Sequence, residues 1–160
     1  MSQVTIRAGV PADLPLIATL IRELADYEKL SHAVEMEEAV LERFLFGDRP
    51  YAETLIAEWE GEPAGFALYF HNFSTFLGRP GVYLEDLFVR PAHRARGIGK
   101  ALLARLAQLA VERGCGRVEW SVLKWNQPAI GFYERLGAHP NSDWTVYRLT
   151  GDALQSLATL

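Results

Sequence analysis

The sequence predicts an α/β domain built on a mixed sheet, and three observations carry the prediction. Short apolar runs rich in strand-forming residues alternate with longer runs whose apolar residues recur every three or four positions. Two of the strand-like runs are joined by a tight turn at Glu60 to Pro63, and glycines close two of the helical runs. Element by element, "VTIRA" reads as a first strand. "PADLPLIATLIRELADYEKL" reads as a helix, with an early proline and a stripe of Leu14, Ile17, Leu20, Ile21 and Leu24 that suits a sheet. "MEEAVLERFLF" repeats the helical spacing through Met36, Val40, Leu41 and Phe44, and "AETLIAEWEGEPAGFALYFH" follows as a hairpin of two strands. "GVYLEDLFV" is a nearly continuous apolar strand, "IGKALLARLAQLAVERG" a helix closed by Gly114, and "RVEWSV" another strand. "QPAIGFYERLG" is a shorter helix, and "WTVYRLT" is predicted as a last strand. The expected order is βααβββαβαβ, in one domain over residues 1–160, with no repeat or linker to divide it.

Composition narrows the function classes. Twenty acids against sixteen bases give a net charge of −4, which argues against a nucleic-acid binder, since those need a basic footprint, and suits a cationic substrate. The single cysteine, Cys115, excludes a disulfide framework or a thiolate zinc site within one chain, and the four histidines show no metal-ligand spacing, so no metal is expected. No apolar run approaches the length that spans a bilayer, and the first residues lack the pattern of a signal peptide, so a soluble, cytoplasmic protein without membrane contact is expected.

Against that acidic background, "HRARGIGKAL" (93–102) concentrates cations and glycines in front of an apolar helical run. The first turn of a helix leaves backbone N–H groups without partners and carries about half a positive charge, and glycines let an anion approach the backbone closely. The stretch therefore reads either as a phosphate cradle or as a solvated basic turn. Two familiar phosphate loops do not fit it. A dinucleotide fingerprint would need a glycine where Leu102 stands, and a Walker loop would need one at His93 and a hydroxyl at Ala101.

What the stretch does match is R-x-x-G-x-G, as Arg94, Gly97 and Gly99, between an apolar strand and a helix. This resembles the acetyl-CoA loop of the GNAT superfamily of N-acetyltransferases. A second block, "VLKWNQPAIGFYERLGA", is similar to the family's later motif, and the element order is similar over nearly the whole chain. Within the superfamily the chain resembles the diamine acetyltransferase branch, through "ELA-YE" in the first helix, "YLED" in the central strand and "WN-P" before the second motif. The resemblance implies a mostly antiparallel sheet with a splayed central strand pair, flanked by helices. It also implies a homodimer and acetyl transfer to a primary amine in a ternary complex. For acetyl-CoA it implies backbone contacts from Leu87, Phe88 and Val89, a pyrophosphate site at Arg94, Ala95, Arg96, Gly97, Ile98, Gly99 and Lys100, and contacts from Asn126 and Ala129. Asn126 also reads as the N-cap of the helix that follows it.

The chemistry requires a proton acceptor, because an alkyl ammonium near pKa 10.4 is almost wholly protonated at pH 7. The resemblance points to Glu85 as that group, acting directly or through water; read from the strand alone, Glu85 and Asp86 are equally well solvated acids near a strand end. Strand alternation puts one acid on each face unless a bulge intervenes. Tyr133 reads from its spacing as core filling, and from the motif as the hydrogen-bond or proton donor to the departing thiolate. Tyr27 and Glu28 read either as an exposed helix end or, by resemblance, as the amine-binding pair. In "NFSTFLGRPGVYLED" the chain departs from spermidine/spermine acetyltransferases at Thr75 and Leu77, and "ST" with "VLKWNQ" is more similar to thialysine-acetylating relatives. The expected substrate is therefore a small amine, either a diamine or polyamine or a lysine-like amino acid. A peptide acceptor and a non-catalytic acetyl-CoA-binding module are the alternatives.

Overall fold

The computed structural model describes residues 3–160, which fall into two compact units, one reaching to Ser121 and one spanning Val122–Leu160. The first holds a five-stranded sheet in the order β1 (Val4–Ala8), β2 (Glu53–Trp59), β3 (Glu62–Ser74), β4 (Arg79–Val89) and β5 (Val118–Trp120). The first four strands pair antiparallel, and β4 pairs with β5 in parallel. The same unit carries α1 (Leu14–Tyr27), α2 (Glu38–Phe46) and α3 (Ile98–Glu112).

The apolar spacing of α1 buries Ile17, Leu20 and Leu24 in one cluster with Leu45 of α2 and with Ile56, Phe66, Leu68 and Phe88 of the sheet. Strand side chains alternate between faces, so Leu55, Ala57 and Ala67 lie on the opposite face, where α3 contributes Leu102, Leu106 and Leu109. Helix α1 stops where Lys29 takes a left-handed conformation, φ 61°, and the Leu30 amide donates to the Ala25 carbonyl. Position 65 on β3 has to be glycine, because a Cβ there would stand 2.4 Å from the Phe88 carbonyl oxygen of β4.

A charge network fixes the start of α1 to the sheet. Arg7 of β1 grips both carboxylate oxygens of Asp13, at 2.7 and 2.9 Å, and also donates to Glu58 of β2. Asp13 additionally accepts from the Val10 amide, and the Arg7 guanidinium holds its carboxyl below the ordinary range. Close by, the Thr54 hydroxyl is buried without a hydrogen-bond partner and lies where a Cβ at Gly9 would fall.

The second unit contains α4 (Gln127–Arg135) and α5 (Gly151–Ala158). The strand predicted at 144–150 does not form: these residues join no ladder, and Trp144, Val146 and Tyr147 are exposed. Alternation in sequence marks a face suited to a sheet, but a strand also needs a neighbour to pair with, and this unit holds no other strand. The helix at 151–158 follows directly, where the sequence reading had placed no element.

Replacing Arg7 by alanine strands a largely buried Asp13, so the variant is expected to lose about 1–3 kcal/mol at pH 7. A carboxyl whose folded pKa is depressed stabilises above its unfolded value, here 3.8, and that stabilisation disappears as pH falls through the folded value. Denaturant titrations of both proteins should therefore show a wide gap at pH 7 that narrows below about pH 4.

Candidate active site

The loop between β4 and α3 is built around two left-handed residues, Ala95 at φ 62° and Gly97 at φ 77°. Gly97 is the N-cap of α3, and the first helical bond runs from the Ala101 amide to the Gly97 carbonyl. The amides of Ile98, Gly99 and Lys100 consequently have no acceptor within the helix, and they belong to the turn that carries the exposed cations Arg94, Arg96 and Lys100. Arg94 donates from Nε to the Val89 carbonyl, and its guanidinium lies 4.8 Å from the Tyr27 ring centroid and 5.8 Å from that of Phe88. Arg96 stacks on Trp59 at 4.7 Å. Arg94 thus ties the loop to the end of β4 and to the end of α1, whereas Lys100 is exposed in the first turn.

On β4 two irregularities coincide. The ladder to β5 covers only Val82 to Leu84, so the peptide groups of Leu87, Phe88 and Val89 face no strand on that side. On the other side, pairing with β3 shifts register: Leu84 stands opposite Tyr69 and Asp86 opposite Leu68, leaving Glu85 as an extra residue. The expectation of one acid per face, which held in the absence of a bulge, therefore does not apply. Asp86 lies on the α1 face with Leu68 and Phe88, and burial raises its carboxyl to about 7, assisted by the negative charges of Glu85 and Glu28. Glu85 itself is exposed. Burial likewise raises Glu28, next to Tyr27, whose ring centroid is 6.5 Å from that of Phe88.

The first unit thus gathers Tyr27, Glu28, Glu85, Asp86, Phe88 and Arg94 around the end of β4. Asp86 was absent from the sequence-derived site: the adjacent acids of "YLED" mark the pair, but which face Asp86 takes is set by the register of β4 against β3. In the second unit, Asn126 is buried and caps α4 by accepting from the Ala129 amide at 3.4 Å, as its N-cap reading required. Tyr133 lies on the same helix, half-buried, its ring 5.7 Å from that of Phe132.

Two further features lie elsewhere in the first unit. A cavity of about 410 Å³ between β1, β2 and α3, lined by Ile6, Leu55, Tyr69, Leu109 and Arg113 among others, contains none of the sequence-predicted site residues. Cys115 has its sulfur 3.9 Å from Nδ1 of His71, a neighbour that sequence spacing did not reveal. That ring nitrogen meets the Gly81 carbonyl at 3.0 Å, and Nε2 meets Arg113 at 2.9 Å, so the imidazole is engaged by groups other than the thiol. Among the described residues, no three His, Cys, Asp or Glu side chains gather so as to hold a metal ion, and no helix is long and apolar enough to cross a membrane.

Residues 17–138 match the family model described as "Acetyltransferase (GNAT) family". The chain belongs to this acetyltransferase family. As an acetyltransferase it is 38% identical to a thialysine N-epsilon-acetyltransferase of Bos taurus over 99% of both chains. It is 34% identical to an L-ornithine N5-acetyltransferase of Arabidopsis thaliana over 97% of this chain and 88% of that one. Among solved structures, an integron cassette protein from V. cholerae superposes with a TM-score of 0.82 at 28% identity, covering all of both chains. The chain is thus a GNAT acyltransferase whose sheet, antiparallel except at β4 and β5, carries the family's helices.

The free first-turn amides make Gly99 a sharper probe than Gly97, where any side chain would be strained by the positive φ. Gly99→Val is expected to weaken binding of coenzyme A by about tenfold or more in calorimetry, with circular dichroism unchanged. Equal affinity in the folded variant would remove the loop from the binding site.

Proposed function

We propose that this acetyltransferase moves the acetyl group of acetyl-CoA to a primary amine of a small molecule, a diamine, polyamine or lysine-like amino acid, within a ternary complex. The observation that carries the reading is the convergence of Glu28, Glu85 and Asp86 at the point where β4 loses its β5 partner, immediately ahead of the α3 turn. A thioester donor stretched along the free edge of β4, with its pyrophosphate on the amides of Ile98 to Lys100, would end beside these acids, which suit an ammonium. The names of the relatives at 34–38% identity point to thialysine or ornithine as models of the acceptor. Residues 1–160 are taken as one catalytic domain, since those relatives align over nearly the whole chain.

In this reading the first unit does most of the binding. Leu87, Phe88 and Val89 offer backbone groups to the pantetheine arm, and Arg94 to Lys100 surround the pyrophosphate. Asn126 and Ala129 add contacts to the arm, a role that rests on their motif. Tyr27 offers its ring to a cation, and Glu28 and Glu85 hold the amine by charge. When bound, acetyl-CoA supplies the thioester that the neutral amine attacks. Tyr133, assigned from the same motif, donates a hydrogen bond to the thiolate as the carbon–sulfur bond breaks.

Release of free thiol from acetyl-CoA, measured across diamines, polyamines, thialysine, ornithine, lysine and short peptides, tests the reading. Small amines are expected to support turnover and peptides are not; turnover confined to peptides would overturn the acceptor class. Tyr133→Phe keeps the ring and is expected to lower kcat by about ten- to a thousandfold with little change in acetyl-CoA affinity. Unchanged kcat would return Tyr133 to a packing role.

A further inference from the structure

We infer that Asp86 is the group that accepts the proton the substrate ammonium must lose, while Glu85 and Glu28 hold that ammonium beside it. The inference rests on the acetyltransferase reading above and assigns within it a residue that neither the motif nor the strand pattern singles out.

The geometry comes from the bulge. On a regular strand Leu84 and Asp86 would share a face, yet Leu84 stands opposite Tyr69 and Asp86 opposite Leu68, so the extra residue, Glu85, turns Asp86 to the α1 face. There it lies in line with Phe88, which contacts the Tyr27 ring, and within the field of Glu28. β3 offers only the apolar Leu68 at this point. The charged and titratable groups nearby are Glu85 on its own strand, Glu28 and Tyr27 at the end of α1, and Arg94 of the following loop, whose guanidinium is stacked on Tyr27 and Phe88. Arg90, the next cation along, is held by Glu23 at 3.1 Å. Asp86 is therefore a half-buried carboxyl among carboxylates and rings, and among the described residues no cation is paired with it to keep it a strong acid.

That environment fits the task. A proton leaving an ammonium near 10.4 reaches a group at about 7 with about three powers of ten less penalty than an ordinary aspartate near 3.9 would impose. Glu85, exposed on the bulge, is placed to attract the cation and is less suited to store its proton. The step balances simply. One N–H bond of the ammonium breaks and its proton forms an O–H bond on Asp86. The freed lone pair then bonds to the thioester carbon, and the carbon–sulfur bond breaks. The second proton shed by nitrogen matches the one the thiolate gains, and Asp86 returns its own to solvent.

The test is a set of pH profiles of kcat/KM from 6 to 10 for wild type, Asp86→Asn and Glu85→Gln, using an amine that the wild type acetylates, with thermal unfolding to confirm folding. Alongside them, the aspartate carboxyls of the free wild-type protein are titrated by carbon-13 NMR. The wild-type profile is expected to rise through a limb near 7, matched by the NMR titration of Asp86. In Asp86→Asn, kcat/KM should fall by about a hundredfold or more at pH 7 and recover towards pH 10, where the free amine supplies its own lone pair. Glu85→Gln should raise KM and move the limb to lower pH, because the charge that raises Asp86 is gone. Parallel profiles of wild type and Asp86→Asn, an Asp86 carboxyl titrating near 4, or loss of the limb in Glu85→Gln alone would overturn the assignment while leaving the acetyltransferase reading intact. A wild-type protein that releases no thiol with any small amine would overturn both.

Discussion

β4 is hydrogen-bonded to β3 along nearly its whole length but to β5 only as far as Leu84, and the site depends on that mismatch. A strand released on one side exposes backbone donors and acceptors that must find partners, in water or in a ligand. Because Asp86 to Val89 stay paired with β3 on the other side, the released edge is held in an extended conformation, which is what recognition of an extended chain requires. The bulge at Glu85 lies just where the release begins, so the departure from regular pairing serves two ends. It coincides with the start of the unpaired edge, and it turns Asp86 to the face that packs under α1, the side on which the proposed function places the amine.

The cost of that arrangement is carried by the surrounding core. Asp86 shares its face with Leu68 and Phe88, both in the cluster under α1, so a carboxyl is tolerated at the margin of an apolar layer and its charge is disfavoured there. Arg94 closes the margin from above. By donating to the Val89 carbonyl and stacking on Tyr27, it links the turn ahead of α3 and the end of α1 through one side chain. The two ends of the proposed site are thereby tied to the same residue, with Gly65 allowing β3 close enough to hold β4 in place.

Much of this was legible in the sequence. The strands through β4 and the three helices of the first unit follow directly from apolar spacing, because each buries a face whose period is local. The R-x-x-G-x-G stretch marked the turn ahead of α3, and the N-cap role of Asn126 was readable from its position before Pro128. The bulge was not legible, since an inserted residue leaves no mark in a nearly continuous apolar strand; it exists only as a relation between β3 and β4. Asp86 was missed for the same reason, as its face depends on that register. The expected strand at 144–150 failed because pairing is a property of two segments, and residues 151–158 were silent because their helix shows only two apolar turns, around Leu154 and Leu157.

Thr54 marks a place where stability is not at its limit. A hydroxyl sealed against Gly9 with nothing to bond is a group whose replacement by a methyl of the same shape removes a desolvation penalty without opening a void. It sits on β2, two strands away from the acids of β4. The protein thus retains unspent mutational headroom at a distance from its chemistry. A lineage that altered the acids of β4 at the expense of stability could recover the loss there.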